Sequence, residues 1–463
     1  MMVIVLILIY LGINLSLINW GLPGLDRVFC YHMDEWHQFK AIVGLWQQGS
    51  NNIPGAANGV SGHFILSGLY LAPFVFLGII KPALMTAISN LEMQQRLFEI
   101  LRLNTLIFGL GSILCLKQIL SKHFKVKPVV GLAMLIGSPV FLISSNYFKY
   151  DIALVFWILL SLKLILDQRL IWAALAVGLA LATKISALPL LGIYLLAFYK
   201  KKLVPGGLVI LFIFLILGIP DVWLKTADLA QYREFLTSNL ITNPQISPGL
   251  NLGLDWLLNL GLGLILGFGY WLVSLRKNSL NKNQQLVLLG LILFVISLIP
   301  LRLQAVGNRL LVLAPFLAIL VGQIKNKIII YGLVVLQLIS GIYLILPKWQ
   351  TDPRVKASKW IEANLPKGTI IGLENIPIYQ YLPDIILKDY YLQEYGSDQE
   401  KLYEYVLIND WSESPPDIVI ITKVTQALID RLARKGYQAA IVFNTKSIEI
   451  NHIPNQIAVY IKK

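Results

Sequence analysis

Charge is scarce in this sequence: only 14% of its 463 residues are Asp, Glu, Lys or Arg, whereas 56% are hydrophobic. Soluble domains usually carry about a quarter charged residues, so this composition excludes an ordinary soluble protein. The hydrophobic residues also cluster into runs with few or no charges, each near the length of about 20 residues that crosses a bilayer. These runs are 3–20, 99–116, 128–145, 152–166, 285–301 and 327–346. The sequence therefore predicts a polytopic α-helical membrane protein.

Other features are also missing. The first run lacks a basic preceding region and a small-x-small cleavage site, so 3–20 is interpreted as a retained helix and not as a signal peptide. Cysteine is limited to Cys30 and Cys115, and Cys115 falls in a predicted span, which argues against a disulfide between them. The redox compartment therefore stays open. No internal repeat or low-complexity tract is evident.

The distribution of charge indicates the partner and the topology. Residues 1–346 hold 25 Lys/Arg against 11 Asp/Glu, whereas 347–463 hold 14 of each. The net charge of +14 thus belongs to the membrane part, where it concentrates in short loops, and nucleic acid is not an expected partner. The positive-inside rule places such loops in the cytoplasm. The basic loops contain Lys117, Lys122, Lys125 and Lys127; Lys200–Lys202; Arg276, Lys277 and Lys282; and Lys325 and Lys327.

Placing these loops in the cytoplasm predicts about eleven crossings of a plasma (inner) membrane, with the N-terminus inside and the C-terminal domain outside. Residues 63–80 are apolar, but Pro73 and Gly78 interrupt them, and a crossing there would move the Lys117–Lys127 loop outside. We therefore interpret 63–80 as a re-entrant or surface-lying helix within an outer segment, 21–98. The predicted spans are 3–20, 99–117, 128–145, 152–168, a hairpin over 170–199, 204–219, 254–275, 285–301, 310–324 and 327–346.

The division predicted from composition is a membrane domain over 1–346 and a small soluble α/β domain over 347–463. The second part has the balanced charge of a soluble domain. Helices are predicted over 355–364 and 424–435, and strands over 369–374, 417–422 and 438–443.

The first candidate site is an acidic pair, Asp34-Glu35, directly after the first helix and flanked by aromatic and histidine residues. A carboxylate held there can act as a general base or bind a metal; a solvated loop is the alternative. His32, His37 and His63 could join the acids at a divalent metal, but no tight ligand spacing exists and the sequence requires none.

The second group of candidates consists of ionisable residues near predicted outer ends of helices. Asp151 opens a predicted span, where either a site or the helix dipole explains it. Lys184 lies between two apolar helices, so either a phosphate partner or snorkelling of its ammonium to the interface is expected. Arg302 and Arg309 lie outside against the charge rule, which favours an anionic ligand. Asp221 is a weaker candidate, because a turn after Pro220 explains it equally well.

Taken in order, these positions resemble the motifs of the GT-C glycosyltransferases. The nearest subgroups are the dolichyl-phosphate-mannose–protein mannosyltransferases and the bacterial aminoarabinose and lipopolysaccharide-core sugar transferases. One departure concerns Ser61-Gly62-His63, where members often carry Lys-Pro or Pro-Pro, and whether His63 takes the role of that lysine is open. The similar segments, which span nearly the whole chain, are Asp34-Glu35, Arg96 before the second span, Tyr150-Asp151, Gly178–Ser186, Gly218–Phe235, Asn308–Gly322 and Asp352–Gly368.

The resemblance implies an inverting hexosyl- or pentosyltransferase on the outer face of the membrane. Its donor would be a polyprenyl-phosphate-linked sugar, and its acceptor a lipid, a glycan or a protein. Asp34 would be the general base, with Glu35 assisting or orienting it and Asp151 positioning the acceptor or Asp34. The donor phosphate would be held by Lys184, Arg302 and Arg309. Two alternatives remain: a transporter or flippase for a lipid-linked anion, and a membrane-anchored binding or assembly protein.

Overall fold

The structure, a computed structural model, describes residues 1–24, 27–48, 60–81, 90–199, 203–224, 252–275, 279–298, 307–374, 382–394, 401–407, 415–422, 425–444 and 456–462. Arg302, Lys200–Lys202, Arg276 and Lys277 and most of the predicted outer segment 220–253 lie outside these residues. The chain forms two compact units. The first contains residues 1–18, 37–85 and 97–343, and the second contains 19–36, 86–96 and 344–463.

The first unit is helical. In chain order, the helices up to residue 345 are α1 (Met2–Ser16), α2 (Met33–Gln48), α3 (Gly62–Phe76), α4 (Leu91–Gln118), α5 (Val129–Ile136), α6 (Pro139–Ser144), α7 (Tyr150–Leu166), α8 (Leu170–Thr183), α9 (Pro189–Phe198), α10 (Leu203–Ile213), α11 (Pro220–Trp223), α12 (Leu252–Leu260), α13 (Leu262–Ser274), α14 (Lys282–Leu298), α15 (Gly307–Leu310), α16 (Ala314–Val321) and α17 (Lys327–Ile345). Helices α2, α4 and α17 each begin in one unit and end in the other.

Helices form in every segment predicted to cross the membrane, but several differ from the prediction in length or continuity. Among the described residues, two continuous helical stretches are long and apolar enough to span a bilayer, Leu91–His123 and Lys327–Asn364. The remaining apolar helices are shorter. Helix α4 begins at Leu91 and not at residue 99, so Arg96 lies inside it and pairs with Glu92 one turn earlier, at 2.7 Å. The expectation that Arg96 precedes this helix is wrong.

Two predicted spans are interrupted by specific backbone features. Segment 128–145 divides at Ser138, which is extended, because Pro139 begins α6 and cannot continue the hydrogen bonding of α5. Segment 254–275 divides at Gly261, whose φ of +93° favours glycine. A Cβ at Gly261 would also lie 2.5 Å from Oε1 of Gln337. The breaks are therefore encoded by a proline and a glycine.

Gln337, on α17, satisfies the backbone groups that these breaks leave open. Its side chain is completely buried. Its Nε2 donates to the carbonyl oxygens of Leu260 at 2.8 Å and Met134 at 3.1 Å, and its Oε1 accepts from the amide of Leu264 at 2.9 Å. Groups at helix ends lack helical partners. One amide side chain thus joins the ends of α5, α12 and α13.

A charged cluster follows α7. Asp167 is buried and accepts hydrogen bonds from Lys163 at 3.1 Å and from Lys122, and it contacts His123 at 3.0 Å. Burial disfavours its carboxylate, but the hydrogen bonds from the two lysines outweigh this effect and lower the pKa of Asp167 to about 2. Two loops that were both predicted to lie in the cytoplasm therefore meet. The membrane face on which they lie stays a prediction.

The second unit contains a five-stranded sheet within the region predicted to be α/β. Its strands are β1 (Ile370–Leu373), β2 (Glu404–Leu407), β3 (Ile418–Ile421), β4 (Tyr437–Asn444) and β5 (Gln456–Lys462), in the order β2-β1-β3-β5-β4. Strands β2, β1 and β3 are parallel, and β5 is antiparallel to β3 and β4. Its helices are α18 (Pro353–Asn364), α19 (Asp384–Glu394) and α20 (Gln426–Arg434).

The central strand of this sheet is buried on both faces, as its uninterrupted apolar sequence predicts. Ile418 and Ile420 face one core, whereas Val419 and Ile421 face the other. The predicted helices and strands form within a few residues of their expected bounds. Helix α19 and strands β2 and β5 were not predicted.

Candidate active site

Asp151 is the centre of a buried charged cluster at the start of α7. It lies in the first turn of the helix, where the dipole favours a negative charge, and it is 2% exposed. Nζ of Lys184 lies 2.8 Å from Oδ1 of Asp151, and Nζ of Lys149 lies 3.4 Å from Oδ2. Two ammonium groups thus share one carboxylate.

Lys184 reaches this position because α8 ends just before it. Its backbone is extended and connects α8 to the 3-10 turn Ile185–Ala187. Burial disfavours its ammonium, and the hydrogen bond to the Asp151 carboxylate at 2.8 Å offsets this cost. The sequence-based choice between a phosphate partner and snorkelling was therefore incomplete, because a carboxylate of the protein already pairs with this lysine.

Tyr150 connects the cluster to further polar groups of the first unit. Nζ of Lys184 lies 4.5 Å from the centre of its ring, within the range of a cation–π contact. Its backbone amide donates to Oε1 of Gln38 on α2 at 3.2 Å. Burial lowers the pKa of Arg309, and the nearby Tyr150 partly offsets this effect. Asp151 and Lys184 therefore meet at the first turn of α7, and Arg309 lies within electrostatic range of Tyr150 in the same turn.

His63 lies beside the same turn. It is 1% exposed, its ring stacks on Phe148 with the centres 5.1 Å apart, and its ring lies edge-on to Tyr150 at 6.3 Å. Within the described part of the chain, neither of its ring nitrogens has a hydrogen-bond partner, and the same holds for the hydroxyls of Ser61 and Thr183. A hydroxyl-bearing ligand or an internal water would supply these partners.

The acidic pair opens α2 and belongs to the second unit. Asp34 and Glu35 both lie in the first turn of α2. Asp34 is exposed, whereas Glu35 is completely buried. The exposed carboxylate is accessible to a substrate, and the buried one is suited to a supporting role. Gln38, one turn later on the same helix, is the residue that binds Tyr150.

The remaining candidates are not brought into these groups. Arg302 lies outside the described residues, and Asp221 lies in α11 without a described side chain. In the ranges that the structure describes, no group of three or more His, Cys, Asp and Glu side chains is arranged to hold a metal ion. Asp34, Glu35 and His63 therefore stay predictions.

Sequence reasoning missed some participants and undervalued others. Gln38 and Thr183 carried no signal of their own. Tyr150 was noted only as the neighbour of Asp151. Lys149 was not among the candidate site residues, although it is 2% exposed and lies beside Asp151. A useful signal was the sequence Lys149-Tyr150-Asp151, in which opposite charges meet at the start of an apolar helix.

Comparison with known proteins identifies the fold. No protein-family model matches the chain, and no curated protein matches it significantly. Two crystal structures of ArnT from Cupriavidus metallidurans are similar over 99% of this chain and 97% of theirs. The apo form has a TM-score of 0.51 at 13% identity, and the form bound to undecaprenyl phosphate has a TM-score of 0.50 at 12% identity.

A third similar structure is the arabinofuranosyltransferase AftD from Mycobacteria. It has a TM-score of 0.45 at 10% identity, and the match covers 99% of this chain but 39% of AftD. The likeness to ArnT extends over nearly the whole chain, and it confirms the fold that the sequence motifs predicted. This chain has the fold of ArnT.

Proposed function

We propose that this protein is an inverting glycosyltransferase that moves a sugar from a polyprenyl-phosphate donor to an acceptor on the outer face of the membrane. The observation that carries the proposal is the pair of ammonium groups, Lys184 and Lys149, that lie beside Asp151 at the start of α7. Cations held in this way can donate charge-assisted hydrogen bonds to an anionic phosphate. The GT-C fold of ArnT, which has been crystallised with undecaprenyl phosphate, supports this choice of anion.

In the proposed reaction, Lys184 and Arg309 bind the donor phosphate, and Asp151 holds the Lys184 ammonium in place. Arg302 is proposed to screen the phosphate charge. As the bond between the anomeric carbon and the phosphate oxygen breaks, the cations stabilise the polyprenyl phosphate that leaves with the electron pair. Cations fixed before the reaction need no reorganisation, which is the source of the rate gain.

Asp34 is proposed to be the general base. An acceptor hydroxyl or amine attacks the anomeric carbon from the face opposite to the phosphate, which inverts the configuration, and its proton passes to Asp34. The exposure of Asp34 fits contact with an acceptor, whereas the burial of Glu35 fits an orienting role. His63 is proposed to hydrogen-bond a hydroxyl of the donor sugar through its unpartnered ring nitrogens.

The variant Asp34→Asn tests the assignment of the base. Removal of a general base typically lowers a rate by about 10²–10⁴-fold, so kcat should fall by that factor while donor affinity stays unchanged. Glu92→Gln is the matched control. Glu92 is an exposed carboxylate in the first turn of α4, and its described ion pair is with Arg96. Near-normal kcat in Asp34→Asn would remove Asp34 from the mechanism.

A transporter or flippase of a lipid-linked anion is the second candidate, since it would use the same cations around α7. It differs in chemistry, because it would move the intact lipid and leave the sugar–phosphate bond unbroken. A membrane-anchored binding protein would leave Lys184 and Arg309 without a role in ligand affinity. Detection of free polyprenyl phosphate separates the enzyme from both alternatives.

A further inference from the structure

The C-terminal domain contacts the segment that carries the acidic pair, and both belong to the second unit. Nε and Nη2 of Arg27 each lie 3.0 Å from a carboxylate oxygen of Asp384, the first residue of α19. The pair is nearly inaccessible to solvent, with side-chain exposures of 14% for Arg27 and 2% for Asp384. Bidentate, buried pairs of this kind are the strong class of ion pair.

Tyr31 lies between two guanidinium groups. Cζ of Arg27 is 3.7 Å from the centre of the Tyr31 ring, and Cζ of Arg354 is 3.2 Å from it. The Tyr31 hydroxyl accepts a hydrogen bond from Nη2 of Arg27 at 2.6 Å and donates one to Asp384 at 3.2 Å. Asp352 neutralises Arg354 through two hydrogen bonds of 2.7 and 2.8 Å. We call Arg27, Tyr31, Asp352, Arg354 and Asp384 the Tyr31 clamp.

The backbone before Tyr31 is adapted to this arrangement. Gly21 has a φ of +68°, and its carbonyl accepts from the amide of Tyr31 at 2.9 Å. A Cβ at Gly21 would lie 2.6 Å from Cδ2 of Tyr31, so any side chain would displace the ring. Trp20 packs edge-on against Tyr31, and Lys348 lies over Trp20. The clamp is therefore a built structure and not a chance surface contact.

A second contact joins α19 to the same segment through Phe29. Phe29 packs edge-to-face on Trp36 at 5.0 Å and on Tyr391 of α19 at 4.7 Å. Asp384 and Tyr391 are seven residues apart on one helix, which places them on the same face two turns apart. Helix α19 thus contacts the chain before Asp34 and Glu35 directly, and through Phe29 it reaches Trp36 after them.

We propose that the C-terminal domain positions the acidic pair, with Asp384 of α19 and the Tyr31 clamp as the positioning residues. Burial raises the pKa of Tyr31, so its hydroxyl keeps the proton that it donates to Asp384. The role of Asp34 as base rests on the proposed function, whereas the contacts of the Tyr31 clamp that hold the backbone before Asp34 are independent of it. The two can therefore be tested separately.

The test compares Asp384→Asn with Asp389→Asn in the purified full-length protein. Asp389 is the matched control, because it is a buried acid of the same helix whose described hydrogen bonds lie within the C-terminal domain, at Leu402, Tyr403 and Tyr405. Loss of a charge-assisted hydrogen bond makes local opening about 10–100-fold more frequent. Hydrogen exchange of the backbone over residues 28–36 should rise by that factor in Asp384→Asn and stay unchanged in Asp389→Asn.

Activity supplies the second readout. In Asp384→Asn, kcat should fall at least about tenfold with unchanged affinity for polyprenyl phosphate, because a small displacement of a catalytic group strongly lowers the rate. Tyr31→Phe, which keeps the ring between the guanidiniums, should retain more activity than Tyr31→Leu.

Each contrary result has a distinct meaning. Unchanged exchange over 28–36 in Asp384→Asn would overturn the clamp, and raised exchange with normal kcat would overturn its positioning role. An equal loss of kcat in Asp389→Asn would show that domain stability alone matters. If the wild-type protein transfers no sugar, the proposed function fails, and the exchange measurement still decides the clamp.

Discussion

Replacing Gln337 with leucine should destabilise the membrane-embedded unit without touching the proposed site. Leucine has nearly the same size but forms no hydrogen bond, so the carbonyls of Met134 and Leu260 and the amide of Leu264 would lose their side-chain partner. A buried unsatisfied polar group costs about 1–3 kcal/mol. Hydrogen bonds between membrane helices measure about 0.6 kcal/mol on average. Three such groups together give an expected loss of about 2–3 kcal/mol.

The assay is reversible unfolding of the purified protein in mixed micelles, with helicity as the signal. Gln285→Leu is the control, because Gln285 is exposed and the described hydrogen bond of its side chain goes to the carbonyl of Leu280, five residues earlier. Exposed substitutions usually change stability by less than about 0.5 kcal/mol. If Gln337→Leu were as stable as the control, the view that this one side chain holds three helix ends would be refuted.

Three further predictions concern the donor site, pH and topology. Lys184→Ala and Arg309→Ala should each weaken binding of polyprenyl phosphate by about 10–150-fold, the worth of one charge-assisted hydrogen bond. Arg309→Lys should retain only part of the wild-type affinity, because lysine lacks the planar guanidinium that can donate two parallel hydrogen bonds. Unchanged affinity in both alanine variants would place the phosphate site elsewhere. The pKa of Asp167 is lowered to about 2 in the folded protein, whereas a free aspartate has a pKa of about 3.9. The ionised Asp167 therefore stabilises the folded state fully above the unfolded pKa, and this stabilisation is lost as pH falls through the folded pKa. The melting temperatures of wild type and Asp167→Asn should therefore approach each other progressively as pH falls from about 5 to about 1, and a constant gap would contradict the assignment. A reporter that works only outside the cytoplasm should be active after Lys463 and inactive after Lys202, and the reverse pattern at either point would overturn the predicted orientation.

The sequence predicted the helical segments well because long apolar runs have few alternatives to a membrane helix. It predicted their breaks less well. Ser138-Pro139 and Gly261 are local signals that a helix ends, but the groups that satisfy the open ends come from elsewhere in the chain. Gln337 is a single amide within a long apolar run, and a polar residue in such a run is a signal for a partner. The identity of that partner depends on tertiary packing.

The candidate site shows the same limit. Asp151 and Lys184 were each recognised from their unusual place beside apolar helices, but their pairing across 33 positions of sequence was not. Pairing requires that α7 and the end of α8 lie side by side, which periodicity does not specify. Helix α19 was missed because Asp384–Glu394 mixes apolar and charged residues without a clear helical stripe. Its role became visible only through its contacts with Arg27 and Phe29.

The central claim is that this protein breaks the bond between a sugar and a polyprenyl phosphate. The most direct measurement incubates the purified protein with polyprenyl-phosphate sugars that carry a labelled sugar, and it follows both the free lipid phosphate and the labelled product. The wild-type protein should form both products in equal amounts, and the rate of their formation should fall by about 10²–10⁴-fold with Asp34→Asn. Binding of the donor without release of free polyprenyl phosphate, across a panel of sugars and acceptors, would contradict it.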